Sequence, residues 1–326
     1  MPKVSVIVPI YNVSAYIERC ARSLFEQTLQ DMEYIFVNDC TMDDSMEVLE
    51  RVLKDYPNRR AQVQIVKMST NSRQAAVRRQ GIQLASGDFI IHCDGDDWVD
   101  VDLYEMMHIE AIRRDADIVV CPIRDEYQEY GVTRLLQSLP DNGQVILENW
   151  YNKSVGMYAW NKLVKRSLYV DHDILPFEGI NMWEDNGLLL RLFYYAQRVS
   201  YINKAVYHYN RMNMAAMTKG YGRHAVIQMI RCASLIDTFF QAKPDFKRFE
   251  KTVLALKFYA RINLVTDSYK GLSTYYSTFP ESDVIIPEIS LEAFSKKGRI
   301  RFLFVKYHLA WLFVMIFKVK NFFKIK

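Results

Sequence analysis

Two groups of polar residues in this 326-residue chain follow directly on short apolar runs, and both have types and spacing that chemistry can use. The first is Asp94-Gly95-Asp96-Asp97, after the run Phe89 to Cys93. Carboxylates at positions i and i+2 just past a strand end can turn toward one ligand. Mg2+ and Mn2+ favour oxygen ligands and commonly combine one or two carboxylates with substrate phosphates. A divalent ion held there would neutralise a diphosphate leaving group. Taken alone, Asp-x-Asp is also the pattern of a solvated acidic turn; its place after an apolar strand is what favours a ligand. The second group is Asn38-Asp39-Cys40-Thr41-Met42-Asp43, after Tyr34 to Val37. Asp39, at the strand edge, is placed to accept hydrogen bonds from a base or ribose, whereas Asp43 reads as a helix cap.

The elements that must position these groups are legible in the same pattern. Val4 to Pro9 is continuous, apolar and rich in β-branched residues, as a buried parallel strand is. Ile17, Cys20, Ala21, Leu24 and Phe25 then recur at helical spacing. Tyr34 to Val37, Val63 to Val66, Phe89 to Cys93 and Ile118 to Cys121 read as four more strands, with helices through Val48–Leu53 and Ala75–Ile82 between them. Strands alternating with helices at this spacing predict an α/β domain with a mostly parallel sheet. Ligands of open α/β sheets bind at the carboxyl ends of the strands, which is where the polar groups fall. From about residue 222 the pattern turns helical, through Met229 to Phe240 and Phe249 to Leu264.

The motifs taken together resemble family-two glycosyltransferases, whose fold is GT-A, over roughly residues 1–220. Val4-Ser5-Val6-Ile7-Val8-Pro9-Ile10-Tyr11-Asn12 is similar to the opening of that family, and Asn38 to Ser45 to its Asp-Asp-Gly-Ser-x-Asp segment. Asn71 through Gly81 resembles its Asn-x-Gly-x-x-x-Ala-Arg-Asn-x-Gly segment, Asp94 to Trp98 its Asp-x-Asp-Asp segment, and Trp183-Glu184-Asp185 its Glu-Asp segment. The resemblance implies a GT-A-like Rossmann-type sheet and an enzyme that transfers sugar from a nucleotide-diphosphate donor, a UDP-sugar, with inversion. It implies that Pro9 and Tyr11 line the nucleotide pocket, that Asp39 binds the base and that Arg78 lies near the diphosphate. Asp94 would contact ribose and metal, Asp96 would be the main ligand of Mn2+ or Mg2+, and Asp185, or Glu184 beside it, would be the catalytic base. Cys40 and Arg73 stand where the family has glycine, Asn38 where it has aspartate and Arg79 where it has asparagine. The Gln-x-x-Arg-Trp segment of processive synthases is absent, so one sugar is expected per transfer.

Asp185 suits a base on physical grounds too. Inverting transfer needs a carboxylate to take the acceptor proton. The apolar face Leu188, Leu189, Leu192, Phe193 puts Asp185 at a helix N-terminus, where an ionised carboxylate is stabilised; an ordinary cap would occupy the same position. Ala159-Trp160-Asn161-Lys162 is in reach of donor or acceptor in such a scheme. In Tyr207 to Arg211, His208 and Arg211 are candidates for metal and phosphate contact, although aromatics and histidines in such runs are more often structural.

Charge is unevenly placed. From residue 293 onward there are nine Lys and Arg and no Asp or Glu, which leaves 33 basic residues against 38 acidic ones in the rest. Nucleic-acid binding calls for a basic folded face and is not expected. Phe302 to Phe323 is apolar and aromatic, with an uninterrupted core, Leu309 to Phe317, spanning roughly 14 Å as a helix against a hydrocarbon thickness of about 30 Å. Lys306, Lys320 and Lys324 fall on one side of such a helix, so the tail reads as a membrane-surface segment; the competing reading is a helix docked on the protein's own core. The expected organisation is a sugar-transfer domain over 1–221, a helical region over 222–295 and a basic amphipathic tail over 296–326. The acceptor is expected to be a glycan or lipid-linked sugar. With five cysteines without CxxC spacing and no signal peptide in the reading, a cytoplasmic location at the inner face of the plasma membrane is expected. The competing functions are a sugar nucleotidyltransferase, which would want a glycine-rich loop after the first strand, and a non-catalytic sugar- or nucleotide-binding protein, which would not need Asp94, Asp96 and Asp185 together.

Overall fold

A computed structural model describes residues 2–135, 140–152, 155–213, 222–266 and 268–324. The chain forms two compact units, residues 1–145 with 157–220, and residues 146–156 with 221–326.

The first unit begins β1 (Val4–Ile10), α1 (Ile17–Phe25), β2 (Met32–Asn38), α2 (Ser45–Lys54), β3 (Val63–Lys67), α3 (Arg73–Leu84) and β4 (Phe89–His92). It continues with β5 (Trp98–Val99), α4 (Leu103–Arg114), β6 (Ile118–Val120), β7 (Ile123–Glu126) and β8 (Gly131–Arg134). Helix α5 (Gly143–Glu148) lies where the chain passes between units; β9 (Lys162–Lys165), α6 (Arg166–Val170), α7 (Glu184–Tyr195), β10 (Val199–Tyr201) and β11 (Tyr207–Asn210) complete the first. Seven strands make one sheet in the order β10-β6-β9-β4-β1-β2-β3. All its pairs are parallel except those of β9, which runs antiparallel to β4 and β6. A second sheet, β5-β11-β7-β8, had no counterpart in the sequence pattern.

Side-chain alternation decides what each face of the large sheet does. Val4, Val6 and Val8 of β1 and Phe89, Ile91 and Cys93 of the β4 run pack with Ile17, Cys20, Ala21 and Leu24 of α1 and with Leu103 and Met107 of α4. The opposite face receives α3 at close range. A Cβ on Gly81 would lie 2.3 Å from Ile7 Cγ2, so glycine there is what lets α3 settle onto β1. That seating fixes where Gln74 and Arg78, one turn apart on α3, emerge.

The second unit holds α8 (Arg223–Gln241), α9 (Phe246–Arg261), α10 (Tyr269–Ser277), α11 (Lys296–Lys306) and α12 (Ala310–Lys324). The apolar tail is two helices rather than the single one its composition implied: His308 takes a left-handed φ of 59° and the helix breaks over 307–309. Lys306 is thereby separated from the lysines that follow, and the side chains of Lys320 and Lys324 lie outside the described residues. Phe302, Val305, Ala310, Phe313 and Val314 are buried, while Tyr307, Leu309, Trp311, Met315 and Ile316 are exposed. The tail is therefore apolar on two faces, one docked in its own unit and one open. No helix among the described residues is long and apolar enough to cross a membrane.

Candidate active site

The acidic turn after β4 is pressed against the end of β1. A Cβ on Gly95 would lie 2.9 Å from the Pro9 carbonyl oxygen, so only glycine lets Asp94 and Asp96 come up to that strand end. Asp97 does not face a ligand. It is fully buried and accepts from the Asn210 N–H at 2.8 Å and the Tyr207 hydroxyl at 2.7 Å. The same hydroxyl accepts from the Asp94 N–H at 3.0 Å. Asn210 Nδ2 donates to the Asp96 carbonyl at 3.1 Å, and Asn213 Nδ2 to Asp96 Oδ2 at 2.7 Å. The turn is thus braced by β11, and Tyr207 and Asn210 are site residues that sequence reasoning did not assign. Burial raises the Asp96 carboxyl above its usual range, and the adjacent Asp94 raises it further.

Around β1 and β2 the loops are tied to one another. Asn12 N–H donates to Thr41 Oγ1, Val13 N–H to Ser45 Oγ and Ser14 N–H to Asp43 Oδ2. Asp43 also accepts from the Ser45 N–H, but the helix cap expected of it falls one residue later, at Asp44, whose side chain makes no cap bond; Asp43 ties the two loops together instead. Asp39 is buried, and its two carboxylate oxygens accept from the Ser72 and Arg73 N–H groups at 2.6 and 2.8 Å. It therefore ties β2 to the start of α3 while each oxygen keeps a second lone pair. Pro9 is half-buried at the end of β1, and Tyr11 is exposed beside it. Cys40 and Arg73 hold φ values of 56° and 67°, a left-handed conformation in which side chains are strained.

Arg78 draws the rest together. Its guanidinium is fully buried and contacts three carboxylates: Asp94 at 2.9 Å, Glu184 at 2.8 Å, and Asp185. Glu184 and Asp185 are the first two residues of α7, after Trp183 at a φ of 70°. Burial pushes both carboxyls of this adjacent pair up, and Arg78 pulls them back down. The two differ in access: the Asp185 side chain is 18% exposed and that of Glu184 9%. Asp185 is thus the more accessible of the two, and both pair with Arg78.

The remaining candidates are engaged in packing. His208 bridges Glu126 (2.6 Å) and Asp100 (2.9 Å) and stacks on Trp98 at 5.0 Å. Arg211 pairs with Asp125 at 2.7 Å and lies over Tyr209. Trp160 stacks between Tyr158 and Tyr207, and the buried Lys162 donates to the Tyr158 carbonyl and Asn161 Oδ1. Burial lowers the Lys162 ammonium to about 7, despite the field of Asp185. Met212 is partly exposed; Met214 and Met217 lie outside the described residues.

The donor set fits a divalent cation of the oxygen-favouring kind. Asp94 and Asp96 are adjacent and crowded enough to raise Asp96. No group of three or more His, Cys, Asp or Glu able to hold a metal occurs among the described residues. Two carboxylates with the remaining positions left to phosphate and water is the usual pattern for Mg2+ at substrate sites.

Comparison with known proteins identifies the family. Residues 5–172 match the family model described as Glycosyl transferase family 2. The chain is 30% identical over 226 residues to the putative glycosyltransferase EpsH of Bacillus subtilis (strain 168), a match covering 68% of this chain and 64% of that protein. It thus spans a little under two thirds of that relative's length. It is 24% identical to the cholesterol galactosyltransferase of Borreliella burgdorferi, with 98% of each chain covered. Among solved structures, S. aureus TarS 1-349 in complex with UDP-GlcNAc superposes with a TM-score of 0.73 at 17% identity, over 98% of this chain and 91% of that one. The last is a likeness of fold.

Proposed function

The chain belongs to glycosyl transferase family 2, and we propose that it moves one sugar from a nucleotide-diphosphate donor, a UDP-sugar, to an acceptor hydroxyl with inversion. The observation that carries this reading is the Arg78 bridge. One buried guanidinium joins Asp94, beside the metal and leaving-group end, to Asp185, the candidate base. Such a link holds two carboxylates of different roles at a fixed separation, which in-line displacement requires.

In this scheme Asp94 and Asp96 would hold a Mn2+ or Mg2+ ion, and that ion would supply charge neutralisation at the diphosphate. Asp39, Pro9 and Tyr11 form the base and ribose end. Asp185 accepts the proton of the acceptor hydroxyl as that oxygen bonds to the anomeric carbon and the bond to the diphosphate oxygen breaks. A carboxyl raised by burial is a stronger base once ionised, so the environment of Asp185 favours this step. Arg78 keeps it ionised and oriented between turnovers.

The acceptor is proposed to be a glycan or lipid-linked sugar in cell-surface polysaccharide or glycolipid synthesis. The protein would work at the inner membrane surface through its tail. In support, the open face of α12 carries Trp311, Met315 and Ile316 on a segment with nine basic and no acidic residues. A relative matched over 98% of both lengths is named for galactosyl transfer to cholesterol, a membrane lipid.

The test is to incubate the purified chain with a panel of nucleotide sugars and Mn2+ or Mg2+, with and without membrane-lipid extract, and to measure released nucleoside diphosphate. Release from one donor, lost on chelation and in Asp96→Ala, is the expected result. Activity of Asp96→Ala with added metal would remove the metal assignment. No release, with no metal-dependent binding of any donor, would turn the reading to a non-catalytic binding protein.

A further inference from the structure

Helix α3 carries three arginines, and the structure uses them differently. Arg78 is locked onto three carboxylates, and Arg79 donates to the Pro176 carbonyl at 3.0 Å. Arg73 is exposed, and its guanidinium has no hydrogen-bond or ion-pair partner among the described residues. Yet Arg73 is the residue with the costly backbone. At a φ of 67° it occupies a conformation that glycine adopts freely and that a branched or long side chain does not. A strained residue at a strand-end loop is a motive to look for function there.

Its position says which function. The Arg73 N–H donates to Asp39 Oδ2 at 2.8 Å, beyond β2, and the next side chain, Gln74, donates to Asp94 Oδ1 at 3.3 Å, beyond β4. Arg73 thus sits against the carboxylate at the base end of the site and is followed directly by a side chain that reaches the carboxylate at its metal end. What lies between base and metal in a nucleotide sugar is the diphosphate. The backbone at the start of α3 offers it little: the Ser72 and Arg73 N–H groups are taken by Asp39, and the Ala75 N–H by Asn181 Oδ1 at 3.0 Å. A guanidinium, with its forked donors and permanent charge, matches phosphate oxygens in pairs.

We infer that Arg73 is a donor-binding residue whose guanidinium pairs with the diphosphate, and that its unfavourable backbone is retained for this contact. The inference rests on the nucleotide-sugar reading above. It also explains why the side chain is left without a partner among the described residues.

The experiment is binding of UDP, GDP, CDP and dTDP, each with Mg2+, to the full chain and to Arg73→Gly and Arg73→Ala, followed by the nucleoside of whichever binds best. Thermal melting is recorded for each variant without ligand. Both variants should weaken the preferred diphosphate at least fivefold and leave its nucleoside unchanged. Arg73→Gly should melt no lower than the wild type and above Arg73→Ala, because only glycine relieves the left-handed φ. Undiminished diphosphate binding by Arg73→Gly would overturn this inference alone. So would an equal loss for the nucleoside, or a Gly variant that melts well below the wild type, since either would make Arg73 a shaper of the loop. Failure of the wild type to bind any of the four would bring down the donor reading and this inference with it.

Discussion

Replacing Arg78 by Met removes the charge that three carboxylates share while keeping most of the side-chain volume. Glu184 would remain as a buried carboxyl with no counter-cation at 2.8 Å, and Asp94 and Asp185 would lose the same partner. Breaking a buried ion pair from one side costs about 3–5 kcal/mol. For a chain of this size that is a fall in melting temperature on the order of 10 °C at neutral pH. The pH dependence follows from the carboxyls. In the wild type, burial raises Glu184 and Asp185 while Arg78 lowers them; without Arg78 both rise further. A carboxyl raised in the folded state contributes stability that is complete below its unfolded value, about 4.3 for Glu, and lost as pH climbs through the folded value. The deficit of Arg78→Met relative to wild type must therefore shrink between pH 7 and pH 5. Calorimetric melts of the metal-free proteins at the two pH values measure it. A deficit of equal size at both, or one below roughly 1 kcal/mol, would refute the claim that Arg78 is the counter-charge of a carboxylate cluster. Arg78→Lys should be intermediate, because an ammonium restores the charge and not the fork.

Asp185→Asn should lower kcat by about 10²–10⁴ in the nucleoside-diphosphate release assay, whereas Glu184→Gln should act mainly on melting temperature; the reverse split would make Glu184 the base. Gly95→Ala drives a methyl to 2.9 Å from the Pro9 carbonyl and should cost about 1–3 kcal/mol in stability together with metal-dependent turnover. If it melts and works like the wild type, the acidic turn is not packed against β1. Trp311→Glu with Met315→Glu changes only the open face of α12 and should reduce co-sedimentation with anionic phospholipid vesicles by about tenfold or more. Melting should stay unchanged within about 0.5 kcal/mol. Undiminished sedimentation would count against the membrane face. Deleting 296–326 is a poorer test, since it strips Phe302, Phe313 and Val314 from a core.

What the sequence discloses here depends on how long a pattern has to be before it has a period. β1, β2 and β4 are apolar runs of four to seven residues, and α1 repeats its buried positions over nine. Each can be read without its neighbours, and with them the strand ends that carry Asp39 and Asp94. β5 is two residues long and β8 is Gly-Val-Thr-Arg; neither has room for alternation, so the second sheet was invisible, and with it the bracing of Asp94 and Asp97 by Tyr207. The Arg78–Glu184 contact closes over 106 residues. Helical spacing placed Arg78 on α3, but only the seating of α3 at Gly81 decides that it points at α7 rather than at solvent. The break in the tail was hidden for a different reason. Its composition declared it apolar and basic, but a helix that is apolar on two faces gives the same periodicity whichever face docks. Which face docks follows from what the rest of the unit presents: Phe258 and Phe294 meet Phe302 of α11, and Phe304 of α11 meets Phe313 of α12. What α12 offers a membrane is therefore Trp311, Met315 and Ile316, left over after that core is satisfied, rather than the hydrophobicity of the segment as a whole.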